Sequence, residues 1–297
     1  MNTTDHESMT SDTRGILMRM QQNEITEHHI YRMLSESLPP SANRDVLKRI
    51  SDDELSHYTY WKGLTRTELK PQRLKVLFYI LVSRLFGITF GIKLMERGET
   101  LAQTAYTTLS STFPEAGKIA REEEAHEQKL IELFDEERLQ YIGSMVLGLN
   151  DALVELTGTL AGLTFALQNT RLIAMAGLIT GIAAALSMAS SEYLSTKTGE
   201  ESQNPLKASL YTGTMYILTV AFLITPYFLF SHVLLCLTGT LVVVICIIAL
   251  FTFYLSVAKD LPFKKRFLEM AGISLGVALF TFFIGYLIRS VLHVDVD

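Results

Sequence analysis

The sequence predicts an all-α chain in two parts: a four-helix bundle around clustered carboxylates and histidines, then five membrane-spanning helices. Three observations predict it. Charge is spread unevenly, with 22 of the 31 acidic and 18 of the 26 basic residues in positions 1–140. Positions 141–297 are instead rich in Leu, Ile, Val, Ala, Phe and Gly, in runs near the ~20 residues that cross a hydrocarbon core. The charged half also carries Glu-x-x-His twice, as Glu54-Leu-Ser-His57 and Glu123-Glu-Ala-His126. On a helix, residues three apart share one face, so each pair can offer a carboxylate and an imidazole to one metal ion.

Residues 1–14 are polar, contain no apolar signal-peptide core, and read as a disordered tail. Residues 16–37 have helical periodicity and stop at Pro39-Pro40. A second helix starts with Ser41 or Asn43 as its cap and runs to about Gly63. Pro71 closes the next connection, and a long apolar helix is predicted from about 72 to 110. Within it, 76–95 is apolar enough to imitate a membrane span, but Arg84 and Lys93 interrupt it. A charge at mid-bilayer costs about 2.5–3.5 kcal/mol, so the segment reads as a buried bundle helix. Thr112-Phe-Pro-Glu115 reads as a capping box opening a fourth helix.

These helices bring the acidic residues to common depths. Glu24 and Glu54 lie at similar distances before and after the Pro39-Pro40 turn, which puts them level in an antiparallel pair. Glu99 and Glu123 are similarly placed about a turn near Ser111, and Glu96 lies one turn from Glu99. The path from the second helix to the third is open between a crossover and a domain swap. Glu27, one turn from Glu24, is the weaker ligand candidate, and His28 and His29 read as solvated helix residues.

Composition excludes other classes. The net charge of −5 gives no basic footprint for nucleic acid. The cysteines are Cys236 and Cys246, so no Cys-x-x-Cys supports a rubredoxin-type iron centre and no disulfide framework is implied.

The pattern Glu24, Glu54-x-x-His57, Glu96-x-x-Glu99, Glu123-x-x-His126 resembles the rubrerythrin branch of the ferritin-like superfamily over residues 15–140. The resemblance implies a ferritin-like fold and a di-iron site held by those seven residues.

Five spans are predicted at about 142–168, 172–195, 207–230, 232–258 and 267–291. With the N-terminus inside, the inner loops carry Lys197, Lys207, Lys259, Lys264, Lys265 and Arg266, against Arg171 and Arg289 outside. The positive-inside rule therefore predicts a cytoplasmic bundle, a multi-pass cytoplasmic-membrane protein and an external C-terminus. The first span carries Asp151 and, one turn on, Glu155; the second carries Met188 and then Glu192. Intramembrane carboxylates mark ion pathways, and a thioether adds a soft ligand suited to a transition metal. Gly158-x-x-x-Gly162, Gly177-x-x-x-Gly181 and Gly272-x-x-x-Gly276 would permit close helix packing.

The run Gly148-Leu-Asn-Asp151-Ala-Leu-Val-Glu155, with Ser187-Met188 and Glu192-Tyr-Leu-Ser, resembles the vacuolar iron transporter family over residues 141–297. That resemblance implies a homodimer moving ferrous iron out of the cytosol in exchange for protons, with Asp151 and Met188 at the transport site. Two departures stand out. The loop 196–207 is short where many members insert a metal-binding segment, and Ser144 stands where the family has a further carboxylate. The whole chain resembles membrane-bound ferritins, with iron captured or sensed by the bundle. Manganese is the other metal that such a site admits. The alternative is a membrane-tethered di-iron peroxidase or ferroxidase.

Overall fold

The computed structural model describes residues 11–97, 113–133, 140–199 and 203–292. Among them every regular element is a helix, and the chain divides into two compact units, Met1–Glu136 and Glu137–Asp297.

In the first unit, α1 (Ser11–Ser37) and α2 (Ala42–Thr65) form an antiparallel hairpin about Pro39-Pro40. Helix α1 begins several residues before the expected start, so part of the expected tail is helical. Ser41 caps α2 by accepting from the Arg44 N–H at 3.3 Å, satisfying a donor that the first turn leaves unpaired. Arg66, at φ 53°, ends α2 in the left-handed region, and its N–H returns to the Lys62 carbonyl.

The connection after α2 runs back along α1 of the same chain. Gln21 donates to the Thr67 carbonyl at 2.7 Å and Gln22 to the Lys70 carbonyl at 2.5 Å. The Gln72 N–H donates to the Thr26 hydroxyl at 3.2 Å. These bonds favour the crossover path within one chain.

The single long third helix is a correction. Gly87, at φ 104°, breaks it into α3 (Arg73–Phe86) and α4 (Ile88–Arg97). Such a φ suits a residue without a Cβ. Helix α3 is also not buried all round: Val76, Tyr79 and Ile80 join the core, while Leu74, Leu77, Phe78 and Leu81 are exposed. The remainder of the expected helix, 98–110, and the Thr112 cap lie outside the described residues. Helix α5 (Pro114–Leu133) completes the unit. His28 is a second correction, being buried rather than solvated. It donates through Nδ1 to the Ser51 carbonyl at 2.7 Å, and the Ser51 hydroxyl donates to the His28 carbonyl at 3.0 Å.

The second unit contains five helices long and apolar enough to cross a membrane: α6 (Ile142–Leu167), α7 (Thr170–Thr198), α8 (Pro205–Leu229), α9 (Val233–Ala258) and α10 (Phe263–Leu292). The chain is a multi-pass membrane protein. Asn169 and Asn204 cap α7 and α8 by accepting from two backbone N–H groups each, so both spans start before the expected residues.

Lipid supplies no hydrophobic drive between apolar helices, so small residues and hydroxyls hold them together. Gly148 of α6 lies against the Thr212 carbonyl of α8, and Gly285 of α10 against the Gly162 carbonyl of α6. The Thr212 hydroxyl donates to the Ser144 carbonyl at 3.0 Å, Ser274 to Leu153 at 2.9 Å, and Thr281 to Gly158 at 2.7 Å. Gly177 and Gly181 also sit in contacts too tight for a Cβ, whereas Gly272 and Gly276 face open space. Two of the three glycine pairs thus mark packing within the chain.

Gly148→Ala would drive a methyl into the Thr212 backbone. It should destabilise the membrane unit by about 1–3 kcal/mol, the usual cost of overpacking. Gly272→Ala should leave stability unchanged. Thermal unfolding of both variants in detergent measures the difference, and equal midpoints would refute this account of the α6–α8 contact.

Candidate metal centre

Helices α1, α2 and α5 each turn one acidic face inward. Glu24, Glu54, His57 and Glu123 place ligand atoms within 4.8 Å of one another. Glu24 and Glu54 are each 1% exposed, which removes their charge from water. His126, one turn beyond Glu123, reaches the same carboxylates: its Nδ1 lies 3.6 Å from Glu54 and 4.0 Å from Glu123. His57 Nδ1 lies 3.5 Å from the other Glu54 oxygen and 3.0 Å from the other Glu123 oxygen. Each of these two carboxylates therefore faces one imidazole with each oxygen. Such a cluster could hold a metal cation. Glu27 is buried but is not in the four-residue cluster. The Glu96 side chain and Glu99 lie outside the described residues.

The far nitrogens explain how the rings are aimed. His57 Nε2 donates to Glu122 at 3.1 Å, and His126 Nε2 donates to Asp53 at 3.0 Å. Each acid directly precedes the cluster glutamate of its own helix and holds the histidine of the other helix. This reciprocal arrangement fixes Nε2 as a donor and turns Nδ1 inward. Trp61 Nε1 similarly donates to Glu24 Oε1 at 3.2 Å. Asp53, Glu122 and Trp61 were not singled out for this role by the sequence pattern. The adjacent acids Asp53-Glu54 and Glu122-Glu123 were the signal that could have found two of them.

Electrostatics make the cluster receptive to a cation. Burial, and then repulsion from Glu123, hold the Glu54 pKa well above the ordinary carboxylate value. Burial also raises Glu123, against the lowering effect of His57. Burial alone would lower His57, but the surrounding Glu123, Glu24 and Glu54 carboxylates outweigh it and raise its pKa. Glu54 Oε2, His57 Nδ1, Glu123 Oε1 and His126 Nδ1 are buried and make no aligned hydrogen bond. Four inward atoms of this kind fit a divalent metal centre.

The membrane residues are arranged differently. Asp151 and Glu155 lie one turn apart on α6, and Met188 and Glu192 one turn apart on α7. The Tyr216 hydroxyl of α8, from a fully buried residue, donates to Glu155 Oε2 at 3.1 Å. Ser144 donates to Glu192 Oε1 at 2.5 Å. The described hydrogen bonds and ion pairs do not join Met188 to these carboxylates. Tyr216 and the pairing of Ser144 with Glu192 were not legible, because both depend on which spans are neighbours.

If Asp53 and Glu122 aim the imidazoles, Asp53→Asn and Glu122→Gln should each weaken Fe(II) binding about 10- to 100-fold without changing its stoichiometry. His57→Ala should abolish a site. Metal must displace protons held by the raised carboxylates, so affinity should rise with pH and keep rising above the ordinary carboxylate range. Anaerobic titration of the full chain measures both effects; unchanged affinity in both acid variants would refute the positioning role.

Comparison with known proteins bears on the membrane unit. Residues 142–204, which include α6 and α7, match the VIT family. No curated protein and no solved structure matches the chain. The match supports a vacuolar-iron-transporter type of membrane part, and with it the transport of metal ions across a membrane.

Proposed function

We propose that the chain exports ferrous iron, and manganese where present, from the cytoplasm in exchange for protons, and that residues 15–140 are a ferritin-like di-iron unit that captures or senses that iron. The VIT-family match over the two helices that carry Asp151, Glu155, Met188 and Glu192 carries the transport reading. Iron is then cargo. Asp151 and Glu155 bind it through oxygen and release it on taking up a proton, while the Met188 thioether favours a transition metal over calcium. Tyr216 steadies Glu155 by donating to it.

Glu155 is exposed near the middle of α6. A carboxylate facing lipid there would be costly. A second copy covering that face, with the pathway between two chains, removes the cost, and this supports a homodimer.

In the bundle, Glu24, Glu54, His57, Glu123 and His126 would hold the iron. Resident iron supplies redox chemistry towards oxygen or peroxide. The protein's own groups hold the metal, keep water out by burial, and fix the imidazole nitrogens through Asp53 and Glu122. The buried pair of histidines and carboxylates also favours a second reading, a membrane-tethered ferroxidase or peroxidase.

Metal flux into proteoliposomes, with Fe(II), Mn(II) and Zn(II) and a pH gradient of either sign, separates the two. Wild-type protein should move Fe(II) against a proton counterflow, and Asp151→Asn should abolish flux while the bundle still binds iron. Met188→Leu should weaken Fe(II) transport without unfolding the protein. Tyr216→Phe removes one hydrogen bond, worth about 0.5–1.5 kcal/mol, and should slow flux without stopping it. Normal flux in Asp151→Asn would defeat the exporter reading. So would absent wild-type flux with peroxide still consumed.

Orientation is tested separately. A reporter fused before Met1 should lie inside the cell, and one fused after Asp297 outside. Both on one side would contradict an odd number of spans.

A further inference from the structure

Helix α3 has two apolar faces, and among the described residues only one is packed. Val76, Tyr79 and Ile80 pack into the core of the first unit. On the outer face, Leu74, Leu77, Phe78 and Leu81 are 85%, 64%, 51% and 54% exposed. Their spacing of three, one and three places them in one stripe along the helix. A contiguous row of large apolar side chains in water marks an interaction surface.

The charges beside the stripe narrow the choice of occupant. Arg73 and Arg84 are exposed at its two ends. From residue 69 to residue 95 the chain has five basic residues, Lys70, Arg73, Lys75, Arg84 and Lys93, and no acidic one. Two copies packed stripe to stripe would bring Arg73 and Arg84 of both chains into the contact, with no acidic residue on α3 to offset them. An anionic bilayer meets both requirements. The headgroup–acyl boundary receives Leu and Phe, and phosphate groups receive the guanidinium ions. The five spans also tether the chain to a bilayer, which raises the effective concentration of lipid around it.

We propose that the outer face of α3 docks on anionic lipid, with Leu74, Leu77, Phe78 and Leu81 in the headgroup–acyl boundary and Arg73 and Arg84 on phosphate. The surface shares no residue with the carboxylate cluster or with the membrane carboxylates, and it goes beyond the transport reading.

The test uses the full chain with Cys236→Ser and Cys246→Ser, carrying Leu81→Cys labelled with bimane. It is reconstituted in phosphatidylcholine vesicles with and without phosphatidylglycerol. Trp61, the sole tryptophan and fully buried, reports that the bundle is folded in every variant. The label should be quenched by nitroxide lipids and shielded from aqueous iodide, and phosphatidylglycerol should strengthen both effects. Arg73→Glu and Arg84→Glu should each lower the ratio of lipid to iodide quenching by about fivefold. A control label at exposed Asp52→Cys should remain open to iodide. Iodide access at position 81 without lipid quenching overturns the proposal. So does pyrene excimer emission between Leu81→Cys chains, which would place a second copy on the face. Failure of metal flux leaves these readings unchanged, so the proposal and the transport reading fail independently.

Discussion

A carboxylate taken out of water needs a counter-charge or a proton, and both units are organised by that requirement. In the bundle, Glu24 and Glu54 are almost wholly buried, with Glu123 against them. Three acids so close cannot all be ionised in a low-dielectric interior without cations. The carboxylates around His57 raise its pKa against the effect of burial, which favours the imidazolium as their counter-charge. A divalent cation held there would offset the same charge.

Hydrogen bonds from outside the cluster fix its geometry. Buried ligands left to choose their own rotamers would collapse onto one another. Here Asp53 and Glu122 hold the outer nitrogens of His126 and His57, and Trp61 holds one oxygen of Glu24. Each holding contact joins different helices, so the pairing of α2 with α5 and the geometry of the cluster depend on each other. A change at an exposed acid can therefore reach a buried ligand one helix away.

The membrane unit meets the same requirement with weaker partners. Tyr216 donates to Glu155 and Ser144 to Glu192. Neutral donors steady a carboxylate without cancelling its charge, which would suit the transport role proposed for Glu155. The close contacts at Gly148 and Gly162 bring α6 against α8 and α10, and the α6–α8 contact is what lets Tyr216 reach Glu155.

The change from a charged to an apolar half, the five long apolar helices, and the helices that carry Glu24, Glu54, His57, Glu123 and His126 were legible in the amino-acid order. Those properties are local: apolar run length, helical period, and spacings of three residues that fix a common face. The sequence could not supply the break at Gly87, because an apolar run reads the same on either side of a bend. It could not expose the outer face of α3, since burial depends on what the other helices cover. Nor could it pair Asp53 with His126, Glu122 with His57, or Tyr216 with Glu155. Those residues lie on different helices, and only the crossing of those helices in space decides which polar atoms come within hydrogen-bond distance.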